Sequence, residues 1–135
     1  MAVFLDTSFL IALKNQDDKN HKIAQSWMER FLKNEFGQIH TSHFVFDEIV
    51  TLALLRIKNK ELAIDLGNYL LKSPRISVVG LKEKDFQNSW KKFQNLSDKG
   101  LSFTDCTIMI QSERLKCSLI ATFDQHFEVL YGTLK

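Results

Sequence analysis

The sequence predicts an α/β domain whose mainly parallel sheet is covered by helices on both faces. Three observations predict it. Short apolar runs (AVFL, RISVV and SLIAT) alternate with longer stretches of helical periodicity. The order they give is β-α-α-β-α-α-β-α-α-β-α, and strands linked through helices rather than hairpins run parallel. Acids also stand just past strand ends, Asp6 after the first strand and Asp124 after the last. Parallel strands share one carboxyl edge, where ligands bind in open α/β sheets.

Ala2 to Leu5 reads as a buried strand, and Asp6 turns the chain into a helix carrying Phe9, Leu10 and Leu13. Asn15 to Asn20 is a polar loop. Ile23, Trp27, Phe31 and Leu32 mark one face of a helix over His21 to Phe36, which Gly37 stops. Gln38 to Thr41 is a short strand. Ser42 caps a helix over His43 to Ile57 that is apolar nearly all round, the pattern of a buried or partnered helix. Glu61 to Leu71 is helical until Ser73-Pro74 ends it. Arg75 to Val79 is a strand closed by Gly80. Lys82 to Leu96 is an amphipathic helix, with Phe86, Trp90 and Phe93 expected inward and Lys84, Lys91 and Lys92 outward. A turn at Asp98, Lys99 and Gly100 leads to a helix capped by Ser102 or Thr104 and running to Lys116. Ser118 to Thr122 is a buried strand, and Gln125 to Leu130 is a last helical turn.

At 135 residues the chain fits one domain, 1–135. A net charge of +2 is too mild to imply nucleic-acid binding by itself. Cys106 and Cys117 have neither CxxC nor zinc spacing and read as buried free thiols, which suits the reducing cytoplasm. Asp6 interrupts the first apolar run and no basic stretch precedes it, so it is not read as a signal peptide. No apolar run reaches the ~20 residues that span a bilayer.

Four acids from distant parts of the chain can meet at the carboxyl edge: Asp6, Glu48, Asp105 and Asp124. Each also has a plainer role. Asp6 and Asp124 can cap the turns they precede. Asp105 completes a capping box with Ser102. Glu48 can complement a helix dipole. Together they are harder to dismiss, because packed carboxylates repel and persist most easily around a cation. Hard oxygen ligands suit Mg²⁺ or Mn²⁺, and such ions support phosphate-ester hydrolysis. His40 and His43 lack a Cys or a third His for a soft-metal site.

The stretches VFLDTSFLIAL, TSHFVFDEIVTLAL, SFTDCTIM and LIATFDQHF together resemble the PIN domain, and more narrowly the VapC-type ribonuclease toxins of toxin–antitoxin pairs. The resemblance implies a three-layer α/β/α sandwich with a sheet of four to five parallel strands. It implies that Asp6, Glu48, Asp105 and Asp124 hold Mg²⁺ or Mn²⁺ for RNA cleavage, with Thr7 or Ser8 and Thr104 supporting the acids. It also implies a homodimer and a small antitoxin partner, with the apolar helices from Phe44 to Leu71 either a natural contact surface or core. Asp47 stands beside Glu48 as a reserve ligand. The short C-terminus leaves the fifth strand open.

A catalytically silent PIN-like module that binds RNA or protein is the alternative. A receiver-like domain phosphorylated on Asp6 is less well supported, because Ser8 stands where a D-x-D partner would be.

Overall fold

Every pairing in the sheet of the computed structural model is parallel. The structure describes residues 1–96, 100–127 and 134, with His126 described by its backbone alone. The elements are β1 (Ala2–Leu5), α1 (Thr7–Lys14), α2 (His21–Leu32), β2 (Gln38–Ser42), α3 (His43–Leu55), α4 (Lys60–Lys72), β3 (Ile76–Val79), α5 (Glu83–Asn95), α6 (Phe103–Arg114) and β4 (Leu119–Ala121). A 3₁₀ turn follows at Gln125–Phe127. The expected turn residues Asp98 and Lys99 lie outside the described residues, as do Glu128–Leu130 of the last helical turn and 131–133 of the tail.

The strand order is β3-β2-β1-β4. From β1 the chain steps outward to β2 and β3, then returns to add β4 on the other side of β1. Right-handed crossovers therefore put α1 to α4 on one face and α5 and α6 on the other. The packing agrees: α1 contacts α2, α3 and α4, while α5 lies on α6. This is the expected three-layer α/β fold. Four strands form the sheet among the described residues.

β1 is buried at every residue because it has a strand on each side and helices over each face. Phe4, Phe9, Leu10, Phe31, Ile39 and Ile49 are fully buried around it. Each such side chain contributes roughly 1.5–3 kcal/mol relative to exposure. Gly37 enters β2 at φ +77°, and a Cβ there would lie 2.1 Å from the Met1 carbonyl oxygen. Only glycine fits that approach.

Several sequence expectations need correction. α2 ends at Leu32 instead of Phe36, because Asn34 takes the left-handed conformation at φ 67° and breaks the helix. Cys106 is buried, but Cys117 is only half-buried; both are free thiols. The larger correction is α5. Its buried residues are Asp85 and Ser89, not its aromatics. Asp85 faces Arg114 of α6 in a 2.8 Å ion pair, and the Ser89 hydroxyl donates to the Asp85 carbonyl. Phe86, Trp90 and Phe93 form a shoulder of the same helix and remain 45%, 50% and 40% exposed. α3 buries Val45, Ile49 and Ala53 but leaves Leu54 and Leu55 outside, and α4 leaves Ile64 and Leu71 outside. No described helix is long and apolar enough to cross a membrane.

Candidate active site

The carboxyl edge of the sheet opens into a cleft of about 950 Å³ where the strand order reverses at β1. Asp6 lies at its floor. The β1 ladder extends one residue further, with the Asp6 amide donating to the Ala121 carbonyl at 3.1 Å. That bond fixes Asp6 against the end of β4. Although Asp6 is the N-cap residue of α1, its side chain makes no capping bond. Its Oδ2 accepts from the Thr122 hydroxyl at 2.7 Å and the Ser8 hydroxyl at 3.2 Å. Those same hydroxyl oxygens accept the amides of Asp124 and Phe123, both at 2.9 Å. One network therefore ties the end of β1, the start of α1 and the end of β4.

Glu48 comes from the second turn of α3. It is half-buried, and its Oε1 accepts from the Thr7 hydroxyl at 2.5 Å. Asp47 also lines the cleft but is exposed. The hydroxyl contact described at this pair is Glu48's.

Asp105 is buried in the first turn of α6. The capping box is present: the Ser102 amide donates to Asp105 Oδ2 at 2.8 Å, and the Asp105 amide donates to Ser102 Oγ at 3.0 Å. Capping does not remove Asp105 from the cleft, which it lines. Asp124 lines it as well. Its carbonyl accepts the Phe127 amide at 3.1 Å and starts the 3₁₀ turn.

These carboxyls feel one another. Burial pushes Asp6 up to about 7; the Thr122 hydrogen bond opposes this, and the charges of Asp105 and Glu48 add to the rise. Burial likewise pushes Asp105 up to about 6, against its bonds to Ser102, with Asp124 and Glu48 adding repulsion. A cation among them would relieve both effects.

All four predicted acids line the one cleft, as do Thr7, Ser8 and Thr104. Thr7 and Ser8 each hold a carboxylate. The hydrogen bond described for Thr104 is its carbonyl's, accepting from Thr107. The lining or supporting residues not anticipated from the sequence include Thr122, Asp18, Asn20 and Arg56. Thr122 had a signal, since it is a hydroxyl residue at the end of the strand that leads to Asp124. The other three lie in a loop or at a helix end, where no periodicity indicates direction.

The donor set is all oxygen and mainly carboxylate, which suits Mg²⁺ or Mn²⁺. Among the described residues, no group of three His, Cys, Asp or Glu side chains is arranged to hold one ion. Mg²⁺ does not need three, because it keeps several waters and takes one or two carboxylates plus substrate oxygens. The residues fit such an ion on those terms.

Comparison with known proteins agrees with the fold. The chain is 22% identical over 131 residues to a VapC ribonuclease of Archaeoglobus fulgidus, covering 96% of this chain and 81% of that protein. The crystal structure of Mycobacterium tuberculosis VapC20, a sarcin–ricin loop cleaving toxin, matches with a TM-score of 0.81 at 24% identity, over 94% of this chain and 93% of that one. VapBC2 of Rickettsia felis, solved bound to a promoter DNA fragment, matches with a TM-score of 0.64 at 14% identity, over 99% and 96% of the two chains. A toxin–antitoxin complex from Klebsiella pneumoniae matches with a TM-score of 0.63 at 16% identity, over 100% and 97%. At these identities the structural matches establish a shared fold. Residues 3–132 match the PIN domain, and the chain belongs to that family.

Proposed function

We propose that this protein is a Mg²⁺- or Mn²⁺-dependent endoribonuclease, the toxin of a VapBC-type toxin–antitoxin pair. The observation that carries the reading is the convergence of Asp6, Glu48, Asp105 and Asp124 on one cleft, with Asp6 and Asp105 buried, raised first by that burial and further by the charge of neighbouring acids. Supporting it are the family and the similarity to a VapC ribonuclease.

In this reading Asp6, Glu48, Asp105 and Asp124 would hold divalent metal together, one or two carboxylates directly and the others through waters that the ion keeps. Such an ion, when bound, lowers the pKa of a water and offsets charge on a phosphodiester. The chain's own residues position the acids. Thr122 and Ser8 fix the Asp6 carboxylate through its Oδ2. Thr7 fixes Glu48, and the Ser102 amide fixes Asp105. Asp47 is the reserve for Glu48.

Exposed Leu54, Leu55, Ile64 and Leu71 on α3 and α4 offer a small antitoxin an apolar seat, and Leu55 also lines the cleft that the antitoxin would block. A homodimer and a cytoplasmic setting complete the proposal. The two free cysteines suit a reducing compartment.

A catalytically silent binding module is the second reading. What favours it is the absence, among the described residues, of three acids arranged around one ion. The two readings separate in a cleavage assay on a mixed structured RNA pool with Mg²⁺, Mn²⁺ or EDTA, beside a folded Asp6→Asn protein. Metal-dependent cleavage by the wild type alone is expected. No cleavage by either protein, once co-purified antitoxin is removed, would favour the silent module.

A further inference from the structure

Arg56 is the one cation lining the cleft among the described residues. Every other charged side chain described on that lining is an acid, with Asp18 and Asp47 joining the four already placed. Arg56 is exposed at the C-cap of α3. Its backbone amide donates to the Leu52 carbonyl at 2.9 Å. Its guanidinium takes part in none of the described ion pairs, which join Lys14 to Asp65, Arg30 to Glu35 and Arg114 to Asp85. A cation at a helix C-terminus can simply complement the dipole. That plain role uses the charge and leaves the guanidinium donors free.

α3 forms a wall of the cleft over much of its length. Glu48, Thr51, Leu52, Leu55 and Arg56 all line it, at the three- and four-residue spacings that make neighbours on a helix surface. From Glu48 to Arg56 the helix rises roughly 12 Å. The wall therefore leads from the acids to a lone cation at its far end.

We infer that Arg56 binds a phosphate of the RNA strand beyond the one that enters among the acids, and so positions the strand along α3. The inference rests on the nuclease reading and adds a binding residue to it. RNA is a polyanion, and without Arg56 the described lining is negative wherever it is charged. A divalent ion among the acids offsets that charge locally, but its field is screened within about 8 Å in physiological salt. The far end of the wall needs a cation of its own. A guanidinium suits the task, because its planar fork makes paired hydrogen bonds to phosphate. A peptide carboxylate at Arg56 would gain one contact against the same acids, whereas an RNA strand meets Arg56 and the ion together.

The test follows binding of two labelled RNA oligonucleotides of unrelated sequence to the full-length Asp6→Asn protein, by fluorescence anisotropy across a potassium chloride series. EDTA-treated wild type replaces that variant should it misfold. Adding Arg56→Gln is expected to weaken both RNAs alike, by about 5-fold at low salt, since a phosphate contact carries no sequence information. The slope of log affinity against log salt should become shallower by about 0.7, the share of one phosphate on a single strand. Arg56→Lys keeps the charge and should keep the slope while losing part of the affinity. A dipole role alone would move thermal stability and leave the salt slope where it was. In the active protein Arg56→Gln should raise KM with little effect on kcat. An unchanged slope would overturn the contact, most plainly if the variant also released a co-purified antitoxin, which would make Arg56 a protein contact. A loss in kcat with KM unchanged would overturn it as well, because Arg56 would then act on the phosphate being cleaved. Cleavage by the wild type with Arg56→Gln indistinguishable from it would overturn the contact and leave the nuclease reading intact. An Arg56-dependent slope without any wild-type cleavage would support the contact and count against the nuclease.

Discussion

Thr122 shows how one hydroxyl can organise several groups. It is fully buried, donates to Asp6 and accepts the amide of Asp124, so it links two of the four acids. Residues that orient metal-holding carboxylates typically matter ~10–100-fold. Thr122→Val, which keeps the shape and loses the hydroxyl, is therefore expected to lower initial cleavage rates by that factor. Thr122→Ser should retain most of the activity, with circular dichroism confirming the fold of both. A second residue carries a pH signature. His40 is buried with Nδ1 unpartnered, and burial first, then Arg114, holds its pKa below the ordinary 6.5. The unfolded chain takes up a proton near 6.5 that the folded chain refuses, so this group costs stability as pH falls below that value. Asp6 and Asp105 run the other way in metal-free protein. Their raised carboxyls favour the fold as pH falls from about 7 and about 6 toward 3.8. The comparison with His40→Gln isolates the histidine: between pH 7 and 5, urea unfolding should show wild type losing stability relative to the variant. Parallel curves would contradict the assignment.

Helix starts gather at the carboxyl edge, and their caps do double duty. Ser42 accepts the Val45 amide at 3.1 Å and sets α3, which carries Glu48. Ser102 and Asp105 cap α6 reciprocally. Losing a serine N-cap costs about 1 kcal/mol. Ser102→Ala should show that loss in urea unfolding and should also reduce cleavage, because the Asp105 backbone amide loses its partner. A loss below ~0.3 kcal/mol would mean that the box contributes little beyond an ordinary surface position. The helices and strands themselves were largely legible in the sequence. β1, β3 and β4 read as short apolar runs, and Ser42 and Ser102 read as caps. The orientation of α5 was not legible. Its aromatic spacing marks one face, but spacing cannot say whether a neighbour covers that face. Here the buried side is held by the Asp85–Arg114 pair, which joins positions 29 residues apart.

The whole molecule brings residues 6, 48, 105 and 124 to one cleft through a single topological fact, the return of the chain from β3 to place β4 beside β1. Strand-end acids made that convergence readable, since parallel strands share an edge whatever their order. What stayed hidden was everything set by side-chain direction: Thr122 behind Asp6, Arg56 and Asp18 on the cleft wall, and the exposed rings of α5. The central claim is that these carboxylates act together on a divalent ion. Calorimetric titration of Mn²⁺ into metal-free wild type and into folded Asp6→Asn protein tests it most directly. Loss of even a supporting residue costs ~10–100-fold in metal affinity, and loss of a ligand should cost at least as much. The account predicts saturable binding by the wild type, weakened at least ~10-fold in the variant. Equal binding by the two proteins, or no binding by the wild type, would contradict it.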